Sequence, residues 1–164
     1  MDNLKNLSIK ELLALHVDIM AELRQSGVLR SENIPTGDLA ESLFCQAFSW
    51  VKEPNSNKGF DAKDGSGNRY QIKGRRLRQG NRGERELSLI SDFSSFDVLA
   101  GVLFDEKYGV ERAALIPKDI VSKRSVKKDN GHKFFLTDDV WVERQVRDVT
   151  VKLQEIRLPD KRKL

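Results

Sequence analysis

The sequence predicts an α/β (α+β) domain in which helices flank a mixed central sheet. The order of elements supports this class, because two amphipathic helices are followed by a hairpin, further strands and a last helix. The apolar run over residues 96–104 is typical of a strand that is buried on both faces. A chain of 164 residues fits one domain. We therefore expect a single domain over residues 1–164, with an N-terminal helical segment (about 1–30) and a short basic tail, Pro159–Leu164.

Two helices are predicted in the first 50 residues. The first covers residues 8–26, because Ser8 and Glu11 form a capping-box pattern and Gly27 is a typical residue after a helix end. Apolar side chains recur through this segment at helical spacing. The second helix begins near Thr36 or Gly37 and ends by about Trp50. The polar, proline-containing stretch between the two helices is predicted to be a loop.

Strands are predicted after the second helix. Asp61 lies at the end of a short strand, the segment 64–68 is rich in turn residues, and residues 69–73 alternate as a strand does. These segments predict a hairpin, followed by a basic loop over residues 74–86. The later predicted elements are strands at 96–104, 110–116 and 134–136, a short helix that starts at 118–121 and a final helix over 139–156. The inward face of this last helix is predicted to consist of Val142, Val146, Val149 and Leu153.

The composition is that of an ordinary globular domain, and its positive charge is concentrated. The formal net charge is +4 and the sequence pI is about 9.2. Such clusters attract a polyanion and make its binding dependent on salt. Solvated loops would explain the same pattern equally well. The two clusters are Lys73, Arg75, Arg76, Arg78, Arg82 and Arg85, and Lys118, Lys123, Arg124, Lys127 and Lys128.

The sequence favours a cytoplasmic protein that has no membrane partner. No apolar run approaches the roughly 18 residues that a membrane span needs. The first residues lack the basic and then apolar pattern of a secretory signal. Cys45 is the single cysteine, so no internal disulfide can form. We expect this thiol to be a small buried group on the second helix, without a role as a nucleophile.

Four polar residues form a set that suits phosphodiester hydrolysis. Asp61 ends one strand, and Gln71 and Lys73 lie two apart on the next strand, where their side chains share a face. Glu41 lies on the preceding helix, which can pack against this hairpin. Oxygen ligands suit Mg²⁺, and a nearby cation stabilises the charge that develops on a phosphate. Each residue alone also has an ordinary interpretation as a solvated or turn residue.

These residues resemble the motif of the PD-(D/E)xK nuclease superfamily, which has the restriction-endonuclease-like fold. The similar segments are Asp38–Glu41 on a helix, Gly59–Asp61, and Tyr70–Lys73. The resemblance covers roughly residues 36–120. The Gln-x-Lys pair departs from the usual Glu-x-Lys pair and is similar to the form in Mrr-type restriction enzymes. The whole chain also resembles small bacterial proteins of this fold.

The resemblance implies a metal-dependent endonuclease that hydrolyses DNA in restriction or repair, with Mg²⁺ (or Mn²⁺) as the cofactor. Asp61 would be the main metal ligand and Glu41 a second one. Gln71 would offer its amide oxygen to the metal or position a water. Lys73 would orient the attacking water and offset phosphate charge. Because a neutral amide binds Mg²⁺ more weakly than a carboxylate does, the glutamine implies a weaker metal site.

The expected partners are DNA and a second copy of the chain. The residues expected to contact nucleic acid are Arg75, Arg76, Arg78, Arg82 and Lys58. Enzymes that cut both strands are commonly two-fold dimers, so a homodimer is expected, with the first helix as one possible interface. Two alternatives stay open at this point. One is a nucleic-acid-binding protein of the same fold without catalysis, and the other is an interaction protein with an unrelated α/β fold.

Overall fold

The computed structural model describes residues 4–31, 34–54, 59–78 and 85–158. Within them the protein has an α+β fold, as the sequence predicts. The helices are α1 (Ile9–Gln25), α2 (Thr36–Phe48), α3 (Lys118–Arg124) and α4 (Thr150–Gln154). The strands are β1 (Val51–Lys52), β2 (Ala62–Lys63), β3 (Arg69–Arg76), β4 (Val98–Phe104), β5 (Val110–Pro117), β6 (Val126–Lys128), β7 (Gly131–Lys133) and β8 (Arg147–Asp148). Short 3₁₀ turns occupy Leu4–Asn6 and Asp138–Val140.

The main sheet of the described chain is mixed and has the strand order β1-β2-β3-β4-β5-β8. Its central pair, β3 and β4, is parallel, and the other neighbours are antiparallel. Strands β6 and β7 form a separate hairpin. Strand β4 lies in the middle of the sheet, and all of its residues after Val98 are buried. This burial confirms the prediction of a strand that is covered on both faces.

Each face of the sheet carries its own apolar core. On one face, α2 and α4 pack over the sheet through residues such as Phe44, Ile72 and Leu153. On the other face, α3 and the segments before β4 and after β7 supply the cover, with Leu87 and Leu136 fully buried. Because both faces are covered, polar side chains of the central strands reach solvent only near strand ends or between covering elements.

Helix α1 is capped as the sequence predicts, although most of its residues are exposed in the described part of the chain. The Ser8 and Glu11 side chains each bond to the other's backbone amide, and Gly27 follows the helix with a φ of 76°. Only Met20 of its 17 residues is buried. Ile9, Leu12, Leu13, Val17 and Ile19 are exposed. Within the described residues, no helix is both long enough and apolar enough to cross a lipid bilayer.

Helix α2 lies directly on β3, and Gly74 allows this close approach. A Cβ atom at Gly74 would lie 3.0 Å from the Thr36 carbonyl oxygen and 3.1 Å from both Ala40 Cβ and a ring carbon of Phe104. These distances are shorter than ordinary van der Waals contacts between carbon atoms. The absence of a side chain at residue 74 therefore sets the spacing of the helix and the strand.

Three sequence predictions about elements are corrected. Strand β3 continues to Arg76, so the basic loop begins later than residue 74. Residues 134–136 form no strand, apart from one isolated bridge at Phe135. The predicted helix over 139–156 is wrong, because β8 pairs with β5 there and only α4 is α-helical. Val142, which the helical stripe required to face inward, is 82% exposed. The predicted tail 159–164 lies outside the described residues.

Candidate functional site

A cleft of about 660 Å³ lies between the start of α2 and strand β3. Three of the four predicted active-site residues, Glu41, Asp61 and Lys73, line it together. Glu41 comes from α2 and Lys73 from β3, as the sequence predicts, but Asp61 lies just before β2 and not at the end of a strand. The described residues that line it are Ile34, Thr36, Gly37, Glu41, Asp61, Ile72, Lys73, Gly74, Arg75, Arg76, Leu77, Arg78 and Ser88.

Asp61 is fixed by the backbone of β3. Its amide donates a hydrogen bond of 2.8 Å to the Tyr70 carbonyl oxygen. Its Oδ2 atom accepts a hydrogen bond of 2.6 Å from the Ile72 amide. The glycine-containing turn over residues 64–68 folds β2 back beside β3 and makes both contacts possible. The position of this carboxylate therefore depends on the hairpin and not on a flexible loop.

Glu41 projects from the second turn of α2 and is 17% exposed. Its Oε2 atom contacts Nη2 of Arg30, and Nη1 of Arg30 donates to the Glu53 carbonyl oxygen at 3.2 Å. Burial, followed by the negative charge of Asp61, raises the pKa of Glu41, although Arg30 opposes this change. The charge of Asp61 thus acts on Glu41 across the cleft.

Burial also raises the pKa of Asp61. The hydrogen bond from Ile72 and the charges of Lys73 and Arg30 lower this pKa, but they do not cancel the effect of burial. The surroundings of both carboxyl groups of the cleft therefore stabilise the ionised form less well than water does. Perturbed carboxyl groups in a cleft are a common property of catalytic and ligand-binding sites.

Gln71 lies in β3 between the two residues whose backbone holds Asp61, but it is not among the described residues that line the cleft. Its side chain is 7% exposed. Its Oε1 atom has no hydrogen-bond partner within the described structure. An unpaired buried amide oxygen costs roughly 1–3 kcal/mol. Gln71 is thus a sequence neighbour of residues that form the site. Its contact with a metal stays a prediction.

The predicted nucleic-acid contacts divide into two groups. Arg75, Arg76 and Arg78 line the same cleft as the carboxylates, and the Arg76 guanidinium lies 4.9 Å from the ring centroid of Tyr108. The other two predicted residues, Arg82 and Lys58, lie outside the described residues. The cleft thus combines two carboxylates at one side with several cations along β3.

The second basic segment is partly neutralised within the protein. Arg124 forms ion pairs with both Asp139 and Glu143, which neutralise its positive charge. Lys127 and Lys128 are exposed on β6. This segment supplies exposed lysines, and it is not part of the cleft lining.

The chemistry of the two carboxylates in the cleft is compatible with one small divalent ion. In the described part of the chain, no group of three or more His, Cys, Asp and Glu side chains is arranged to hold a metal. Proteins usually hold Mg²⁺ through one or two carboxylates, and the ion keeps several of its waters. Asp61 and Glu41 supply this number of carboxylates, and their raised pKa values indicate that a cation would stabilise the charged forms.

Arg30 is the residue of this region that the sequence predictions missed. Its backbone amide donates to Oδ2 of Asp38 at 2.8 Å, and the Ser31 amide donates to the same oxygen at 2.8 Å. The start of α2 therefore holds the preceding loop, which places the Arg30 side chain against Glu41. The polar sequence before α2 gives no signal for this contact, because it depends on how the loop folds back.

Comparison of the chain with models of known protein families and with curated protein sequences finds no match to either.

Proposed function

We propose that this protein is a Mg²⁺-dependent deoxyribonuclease of the PD-(D/E)xK type, and that the cleft between α2 and β3 is its active site. One observation carries the proposal: Glu41, Asp61 and Lys73 line a single cleft together with Arg75 and Arg78. The carboxylates suit a divalent cation and the basic residues suit a phosphate backbone.

The chain's own residues have distinct roles in this proposal. Asp61 and Glu41 would hold the ion, whose chemistry when bound is to withdraw charge from a phosphoryl oxygen and acidify water. Lys73 would orient a water molecule for attack on phosphorus and offset the negative charge that develops as the leaving oxygen departs. Arg75, Arg76 and Arg78 would bind neighbouring phosphates and keep the scissile bond beside the carboxylates.

The proposed substrate is DNA, and the proposed assembly is a homodimer. The exposed face of α1 supports the second point, since Ile9, Leu13 and Val17 are 79%, 62% and 61% exposed on one side of the helix. A second copy would cover this face. In analytical ultracentrifugation, the protein is expected to sediment as a dimer and Leu13→Glu as a monomer. A monomeric wild-type protein would contradict the dimer without affecting the proposed active site.

The central experiment is nicking of supercoiled plasmid with Mg²⁺ or Mn²⁺. The wild-type protein is expected to nick the plasmid, and EDTA is expected to stop the reaction. Lys73→Ala is expected to abolish nicking and to keep most of the DNA affinity, measured by fluorescence anisotropy. Lys127→Ala is the matched control, because it removes a lysine from β6, outside the cleft. If wild-type protein binds DNA and never nicks it, the catalytic proposal is wrong.

A nucleic-acid-binding protein without catalysis is the second candidate. The position of Gln71 favours it, because this side chain is buried and not among the described residues lining the cleft. This candidate predicts salt-dependent DNA binding that neither Mg²⁺ nor Asp61→Asn changes strongly. The nuclease predicts that the same variant loses all metal-dependent nicking.

A further inference from the structure

The Arg30 guanidinium lies against one of the two carboxylates of the cleft. It contacts Glu41, and its charge also acts on Asp61. The Arg30 side chain is 28% exposed, so part of it already faces solvent. The same group is thus close to both proposed metal ligands.

Arg30 makes two further hydrogen bonds, one through its guanidinium and one through its backbone amide. Nη1 donates to the Glu53 carbonyl oxygen at 3.2 Å, and the backbone amide is held by Asp38. The backbone contact does not involve the guanidinium. The side chain can therefore leave Glu41 while the loop stays attached to the start of α2.

We propose that Arg30 competes with a divalent cation for Glu41, so that metal loading displaces the guanidinium from the carboxylate. This inference rests on the proposed function and adds a control step to the same site. A guanidinium and a metal ion at the same carboxylate oxygen repel each other, so the binding of one disfavours the binding of the other. Displacement returns the Arg30 charge to a surface beside the cleft, where it can pair with a phosphate of the substrate.

The alternative is that Arg30 only positions Glu41 for the metal. The two roles predict opposite effects of removing the guanidinium. A competitor weakens metal binding, so its removal strengthens binding. A positioning residue supports metal binding, so its removal weakens binding.

Mn²⁺ binding, measured by the electron paramagnetic resonance signal of free Mn²⁺, distinguishes these roles without any assay of activity. Arg30→Gln is expected to bind Mn²⁺ about fivefold more tightly than the wild-type protein, since partly exposed ion pairs contribute up to about 1 kcal/mol. Arg124→Gln is the matched control, because it also loses an arginine that pairs with carboxylates, but outside the cleft. Asp61→Asn gives the background of nonspecific binding.

A second measurement follows Arg30 directly in the wild-type protein. The side-chain Nε–Hε resonance of Arg30, assigned by its absence in Arg30→Gln, is expected to shift and narrow as Mg²⁺ is added. Arg30→Lys checks the role of charge, because a retained cation should keep most of the competition. Circular dichroism establishes that each variant is folded before its affinity is compared.

The outcomes separate this inference from the proposed function. Tighter binding by Arg30→Gln with displacement of Arg30 by Mg²⁺ supports the competition. Equal or weaker binding by Arg30→Gln, when wild-type protein binds Mn²⁺ above the Asp61→Asn background, overturns the competition and leaves the nuclease proposal in place. If neither protein binds Mn²⁺ above that background at millimolar concentration, both the metal site and the competition are wrong.

Discussion

Strand β3 donates hydrogen bonds to two carboxylates, Asp97 and Asp61, whose negative charges are stabilised to different extents. At its first residue, the Arg69 amide and Nε donate to Asp97 Oδ2 at 2.9 and 3.1 Å, and Nη2 contacts Oδ1 at 3.0 Å. These hydrogen bonds from Arg69 lower the pKa of Asp97 to about 2. Near the middle of the strand, burial raises the pKa of Asp61 instead.

The comparison separates a structural acid from one that is available to a ligand. Both carboxylate oxygens of Asp97 accept hydrogen bonds from Arg69. These bonds connect the first residue of β3 to the residue that precedes the parallel strand β4. Asp61 shares its cleft with a second acid, Glu41, and the nearby cations do not lower either pKa to its ordinary value. Stability alone would not select such a pair of buried carboxylates. Their position in one cleft supports the proposal that the cleft binds a cation or a substrate.

The largest predicted effect is on catalysis and applies to one acid only. Asp61→Asn is expected to lower the rate of metal-dependent plasmid nicking by about 10²-fold or more, because a charged ligand becomes a neutral amide. Asp97→Asn makes the same chemical change outside the cleft and is expected to keep nicking within about threefold of wild type, at a temperature where both are folded. Equal losses in the two variants would contradict the distinction between these acids.

The next effect is on the framework of the site. Gly74→Ala is expected to lower the free energy of unfolding by about 1–3 kcal/mol, because the new methyl group would press on Thr36 and Ala40 of α2. Gly65→Ala is the control, since a Cβ there meets nothing within 4 Å. Urea unfolding followed by tryptophan fluorescence measures both. A Gly74→Ala protein as stable as wild type would mean that α2 can shift without cost.

The two acids also predict different dependence of stability on pH. The raised pKa of Asp61 in the folded protein means that its ionisation destabilises folding as the pH rises above the ordinary value of 3.8. Metal-free Asp61→Asn should therefore be more stable than wild type at pH 7, with a difference that shrinks as the pH falls toward about 4. Differential scanning calorimetry across this range measures the difference.

Asp97→Asn should behave in the opposite way. The lowered pKa of Asp97 stabilises the folded protein above the ordinary carboxyl pKa, and this contribution is lost as the pH falls toward about 2. The variant should be less stable than wild type at pH 7 and should approach it in acid. If both variants are destabilised at pH 7, the Asp61 carboxylate is better satisfied than its raised pKa indicates.

The smallest predicted effect concerns the cations of the cleft. Arg78→Ala is expected to weaken DNA binding severalfold and to reduce the slope of log K against log salt by about 0.9, since one phosphate contact is lost. Lys128→Ala on β6 removes a cation outside the cleft and should leave the slope unchanged. Equal slopes for Arg78→Ala and wild type would place the bound DNA away from the segment that follows β3.

The sequence predicted the features that depend on neighbouring residues. The capping box of α1, the turn at 64–68 and the uniformly apolar β4 each follow from local chemistry, and all are present. The predicted helix over 139–156 failed because β8 pairs with β5, a contact between distant segments. Valines at helical spacing could not reveal this pairing, since β-branched residues also suit strands.

For the candidate site, the sequence likewise predicted some features and not others. Order and spacing were sufficient to bring Glu41, Asp61 and Lys73 to one cleft, because a helix and a hairpin fix their directions. The burial of Gln71 could not be predicted, since alternation gives the face of a side chain but not what covers it. The contact of Arg30 with Glu41 depends on a loop that folds back over α2, and no periodic pattern encodes that path.

The hydrogen bond from the Ile72 amide to Asp61 joins the carboxylate to the ladder of the central sheet. Motion of this carboxylate is consequently coupled to motion of the central sheet. Amide hydrogen exchange at Ile72 would report on the carboxylate as well as on the strand, and the proposed function predicts that its protection changes when a cation is added. The Ile72 amide proton would thus report on binding at the proposed site without any label added to the protein.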